Sequence, residues 1–202
     1  MRIRTLTLAS AALSTALLLT GCSPSGMSDG MPGMDHGSTS SKAPTESAAQ
    51  FNAADQMFVT MMIPHHEQAI EMADMLLAKD GIDDRVVTLA QQIKDAQGPE
   101  IKTMQGWLDN WGVSADESSM GGMDHGGGMM SKDSMTALES ATGTEATRLF
   151  LEGMIEHHTG AIEMAQSALD GGKNPDVLKL AQQVIDDQSA EITTMKELLG
   201  NL

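Results

Sequence analysis

The chain has 202 residues, with 12 basic against 28 acidic side chains, a formal charge of −16 and one cysteine. That acidity argues against nucleic acid and anionic lipid as electrostatic partners and favours cations. A single thiol excludes an internal disulfide and a multi-thiolate metal site, so soft-metal chemistry falls to the 18 methionines and 6 histidines.

Residues 1–21 read as a lipoprotein signal peptide. Arg2 and Arg4 make a positive start, an apolar run reaches Leu19, and Leu19-Thr20-Gly21-Cys22 fits a cleavage site that leaves Cys22 lipidated. The apolar run is too short to span a membrane comfortably. The expectation is an exported protein, anchored to the cell membrane by acyl chains on Cys22 and facing away from the cytoplasm. Residues 23–48 are rich in Ser, Gly, Pro and Met and read as a flexible tether.

Residues 50–200 read as a duplicated helical domain: a hairpin over 50–111, a Gly/Met-rich linker over 112–140 and a second hairpin over 142–200. Phe58–Leu77 and Phe150–Leu169 align without gaps, with about eleven identities in twenty, and Leu89–Leu108 pairs equally well with Leu180–Leu199. Phe58, Met62, His66, Ala69, Ala73 and Leu76 recur with helical period on one face, opposite Glu67, Glu71 and Asp74. Gly81 and Gly171-Gly172 read as stops, with Asp83 and Asn174 as N-caps and Pro175 in a first turn. Pro64 and Gly98-Pro99 interrupt only the first copy and predict kinks or a break there. Four long helices in two short-looped hairpins most simply make an all-α, antiparallel four-helix bundle.

The histidines fall on the inward face. With Met62 at its centre and 100° per residue, His66 lies about 40° to one side and His65 about 60° to the other. Met61 is one turn before His65 and Met72 two turns after it. His157, His158, Met154 and Met164 repeat the pattern, although Gly153 replaces the counterpart of Met61. A lone buried histidine is usually a core residue with a satisfied hydrogen bond. Two adjacent pairs, at equivalent places on apolar faces, point to a metal, since burying four imidazoles without partners is costly. Imidazole and thioether without thiolate suit copper, Cu(I) above all, with Cu(II) and Ag(I) as relatives.

On the second helices Gln97, Glu100, Gln188 and Glu191 also face inward. Gln97 comes level with His66 and Gln188 with His158, as partners that would orient an imidazole. The glutamates read either as ligands or as solvated residues at the bundle end. Plain hydrogen bonding between helices accounts for all four equally well. Gly33-Met34-Asp35-His36-Gly37 and Gly122-Met123-Asp124-His125-Gly126 are one pentapeptide, flanked by Met27, Met31, Met120, Met129 and Met130. These clusters read as accessory copper-capturing arms, against low-complexity drift as the alternative.

The doubled Met-Ile-x-His-His-x-x-Ala-Ile-Glu-Met-Ala, followed by Leu-Ala-Gln-Gln, resembles the domain-of-unknown-function family numbered 305, and CopM-type copper-binding proteins are similar. The likeness covers about residues 50–200. It implies a ferritin-like, four-helix architecture and a part in copper binding or tolerance outside the cytoplasm. By position, the family's motif falls on Met62, His65, His66 and Met72, and on Met154, His157, His158 and Met164. The leading expectation is a copper-binding module that buffers or transfers Cu(I), with the membrane anchor, metal ions and a copper-handling protein as partners and no nucleic acid. Two others stand beside it. One is a ferritin-like di-iron or di-manganese oxidase, which would draw on Glu100, Glu191 and the histidines but lacks the usual Glu-x-x-His pairs. The other is a structural or partner-binding bundle whose histidines are core. No residue reads as catalytic: activated-serine and phosphate-loop motifs are absent.

Overall fold

Caps set the helix boundaries. In the computed structural model, which describes residues 51–113 and 127–202, Asn52 opens α1 (Ala53–Leu77) with a capping box: its side chain accepts from Asp55 N, and the Asp55 carboxylate accepts from Asn52 N. Asp83 caps α2 (Asp84–Trp111), which ends on Gly112 in the left-handed conformation, φ 70°. Asn174 caps α5 (Pro175–Leu199), with Pro175 in its first turn. The caps at Asp83 and Asn174 follow the sequence signals; those at Asn52 and Gly112 were not among them. Neither Pro64 nor Pro99 breaks its helix; α1 and α2 run through them. Both prolines lie on an exposed face, where water can take up the carbonyls they leave free.

One element was not expected. Lys132–Ser140, inside the stretch read as linker, is a helix, α3, capped by Ser131 and holding one fully buried side chain, Leu138. α4 (Gly143–Gly171) follows after two residues. The described residues are therefore all-helical, in five helices with no strand. None of these helices is long and apolar enough to cross a membrane.

α1 packs against α2, α4 against α5, and the two hairpins meet along α1 and α4, with α3 lying against both. The apolar core divides into two clusters. One joins the C-terminal half of α1 (Ala69, Met72, Ala73, Leu76) to the N-terminal half of α4 (Ala146, Phe150, Leu151, Met154), closed by Leu89 and Ile93 of α2, Met195 of α5 and Leu138. The other joins Phe58, Val59, Met62 and Ile63 to Ala161, Ala165 and Ala168, closed by Met104, Leu108, Val177 and Val184. α1 and α4 are thus antiparallel. Exchanging the two copies of the repeat exchanges the two clusters, so the molecule has a pseudo-twofold axis through the middle of the α1–α4 contact. The histidine pairs lie in the layer between the clusters.

Candidate metal centre

All four histidines of the two pairs are buried, His65 at 2 % exposure and His66, His157 and His158 at 0 %. His65 of α1 meets His157 of α4 across the axis, ring centroids 3.7 Å apart and planes tilted by 39°. His158 stands 6.3 Å from His157. His66 and His158 turn the other way, each toward the second helix of its own hairpin. Nε2 of His66 lies 2.8 Å from Oε2 of Glu100, and Nε2 of His158 lies 2.6 Å from Oε2 of Glu191. The carboxylates, and not the neighbouring amides, take the imidazoles. Gln97 and Gln188 are buried beside them, with both amide atoms of Gln97 and Oε1 of Gln188 lacking a hydrogen bond. Reading position along the helix identified the right turn of α2 and α5; the rotamers within that turn decided which side chain reached the ring.

These bonds set the tautomers. A carbonyl or carboxylate oxygen accepts, so Nε2–H of His65 donates to the carbonyl of Gly127, at 2.7 Å, and the rings of His66 and His158 donate Nε2–H to Glu100 and Glu191. In the neutral tautomer of each ring the lone pair then sits on Nδ1. None of the three Nδ1 atoms has a hydrogen-bond partner, and neither nitrogen of His157 has one. Five buried ring nitrogens stand unsatisfied in one layer, where each such group ordinarily costs about 1–3 kcal/mol. Burial drives the His65 pKa down to about 4, against the pull of the Gly127 carbonyl and with help from His66 and His158. Burial also holds His157 well below its ordinary value, followed by the fields of His65, His158 and His66. The backbone of His65 pulls weakly the other way on His157, without forming a bond of proper geometry. At neutral pH His65 and His157 are therefore uncharged bases.

The thioethers flank this layer. Met72 is fully buried, while Met61 and Met164 are half-buried and line, with Met57 and Phe58, an apolar cleft of about 230 Å³. Met62 and Met154 are fully buried members of the two core clusters. Gly127–Met130 crosses the layer as a strap. Met130 exchanges two hydrogen bonds with the Gln68 side chain, donating N–H to Oε1 at 2.7 Å and accepting from Nε2 at 3.1 Å. Gly128, at φ 80°, lies so close to α4 that a Cβ there would fall 2.5 Å from the carbonyl of Glu156. The strap's hold on His65 had no signal in the sequence beyond the Gly-rich run itself. Among the described residues no three His, Cys, Asp or Glu side chains form a ready metal cluster; those within reach of one another are the His65–His157 pair and the pairs of His66 with Glu100 and His158 with Glu191. Cys22, Met34, Asp35, His36, Met123, Asp124 and His125 lie outside the described residues.

Residues 55–199 match the model of the Domain of unknown function (DUF305). A DUF305 fragment from Deinococcus radiodurans superposes with a TM-score of 0.67 at 31% identity, over 75% of this chain and 98% of that one. A DUF305 protein of Streptomyces coelicolor, itself proposed to be secreted, gives 0.67 at 31% identity, over 73% and 91%. CopM in its Cu(II)-bound form gives 0.62 at 38% identity, over 73% and 96%. CopM has also been solved with Cu(I) and with Ag. No curated protein matches.

Proposed function

The chain belongs to the DUF305 family, and from that premise we propose that it is a copper-binding protein working outside the cytoplasm. In this reading the duplicated hairpins form a ferritin-like four-helix frame, and the imidazole layer between them binds Cu(I), with Cu(II) and Ag(I) as further ligands. The observation that carries the proposal is the set of five unsatisfied ring nitrogens on four buried imidazoles, of which His65 and His157 are held uncharged by burial, bracketed by Met61, Met72 and Met164. Neutral imidazole and thioether are the donors that Cu(I) prefers where thiolate is lacking. The copper-bound and silver-bound forms of CopM, at 35–38% identity, support the same metal class. We extend the proposal to the N-terminal residues: 1–21 direct export, Cys22 carries the lipid, 23–48 form the tether, and the Met-Asp-His clusters deliver copper to the helical site. The function is buffering or transfer of copper, with a copper-handling protein as the exchange partner.

Competitive titration of the full chain against a Cu(I) chelator tests this. Replacing His65, His66, His157 and His158 by Ala is expected to abolish chelator-competitive binding, with helix content followed by circular dichroism. Unchanged affinity in a folded variant would remove the imidazole layer from the account. Two iron atoms per chain with oxygen consumption would replace it by a di-iron oxidase.

A further inference from the structure

The two copies of the repeat differ where the strap touches them. Met61 of α1 corresponds to Gly153 of α4, and Gln68 corresponds to Gly160. Each departure accommodates the strap. A Cβ on Gly160 would lie 1.8 Å from the Gly127 carbonyl, so the strap crosses α4 only because Gly160 has no side chain. On α1, Gln68 clamps the strap at both polar atoms of the Met130 backbone.

At Gly153 the substitution opens a space and the strap fills it. Met130 Sδ lies 2.6 Å from where a Gly153 Cβ would stand, and the Met72 methyl carbon lies 3.4 Å from the same point. Gly153 is one turn before His157 on the same face of α4, as Met61 is one turn before His65 on α1. In one half of the molecule, therefore, Met61 and Met164 flank the imidazole layer from the helices themselves. In the other half Met72 is paired with a thioether brought in by the strap, at the root of the side chain that Gly153 lacks. Met72 is fully buried there, whereas its counterpart Met164 lines an open cleft.

We propose that Met130 is a metal ligand: it replaces the helical methionine missing at position 153 and, with Met72 and His157, completes a second thioether–imidazole half-site for a soft monovalent cation. The two half-sites are then equivalent in donors, and each borders a cleft: Met61 and Met164 line one of about 230 Å³, and Met130 lines another of about 370 Å³ beside Gln68 and Met135, while Met72 stays fully buried. This rests on the copper reading above and adds a ligand that the repeat does not contain.

The test is Cu(I) titration of the full chain under chelator competition, with stoichiometry by native mass spectrometry and thermal unfolding of the metal-free form alongside. Met130→Leu keeps the apolar filling and removes the sulfur. It is expected to weaken one bound equivalent by at least about tenfold while the metal-free unfolding temperature moves little. Met130→Ala combined with Gly153→Met moves the thioether from the strap to the helix, as in the first copy, and is expected to restore that equivalent. Binding by Met130→Leu equal to the parent chain would overturn the proposal and leave Met130 a gap-filler. A folded double variant no better than Met130→Ala would overturn it as well. If the parent chain itself takes up no Cu(I), the copper reading fails independently of Met130.

Discussion

A neutral imidazole in a dry layer is held there against protonation, and that makes pH a direct probe of His65 and His157. An unfolded His65 takes up a proton near pH 6.5, whereas the folded one resists until about pH 4. Between these values the unfolded chain binds more protons, so stability falls as pH falls through the window. His65 alone accounts for about 3 kcal/mol across it, and His157 acts in the same direction. Urea unfolding of the metal-free chain at pH 7.5, 6.5, 5.5 and 5 is expected to show this decline; a flat profile would mean the rings are hydrated. The glutamates act through the rings they hold. Glu191→Ala leaves the buried Nε2–H of His158 without an acceptor and frees the ring to turn, so metal affinity is expected to drop about 10- to 100-fold. Glu191→Gln keeps an acceptor oxygen and is expected to retain most of it. Equal losses in chelator competition would show that charge, rather than orientation, is what the carboxylate contributes.

Among the elements, α3 and the strap depend most on a few contacts. α3 has nine residues, too short for stability of its own in water. It is seated by Leu138 among Met135, Met130 and the first core cluster. Leu138→Ala is expected to cost about 2–4 kcal/mol of that seating. The loss should appear as faster amide exchange over residues 127–140, while α4 and α5 stay protected. Exchange that accelerates evenly along the chain would make α3 part of the global fold instead. Its small size also explains its absence from the sequence reading, since one buried leucine and one half-buried methionine do not make a visible helical period. The long helices were legible because eleven buried positions in α1 repeat with that period and because Asp83 and Asn174 cap α2 and α5. Pro64 and Pro99 show the limit of a local rule. A proline breaks a helix less readily when it faces water and the rest of the helix is tied down by packing.

At the level of the whole molecule, the two hairpins are joined at the buried carboxylate of Asp55 as well as by the core. It accepts from Asn52 N in its own first turn and from Lys173 N and Asn174 N at the start of α5, so it sits at two helix N-termini at once. The Asn52 side chain donates to the carbonyl of Gly171 beside it. Asp55→Ala is expected to lower global stability by about 3 kcal/mol, read as a shift in the urea midpoint without a change of slope. A local effect confined to α1 would show that the core alone holds the hairpins together. Sequence by itself determined the duplication, the helical class, the caps of α2 and α5 and the four histidines, because identity, period and cap chemistry are local properties of the chain. Only the tertiary structure decided that His65 meets His157, that Glu100 and Glu191 take His66 and His158 in place of the glutamines, and that Met130 stands at Gly153. Each of these pairs residues far apart in sequence. Which rotamer reaches which partner is settled by how α1 and α4 cross and by the room that two glycines leave for the strap.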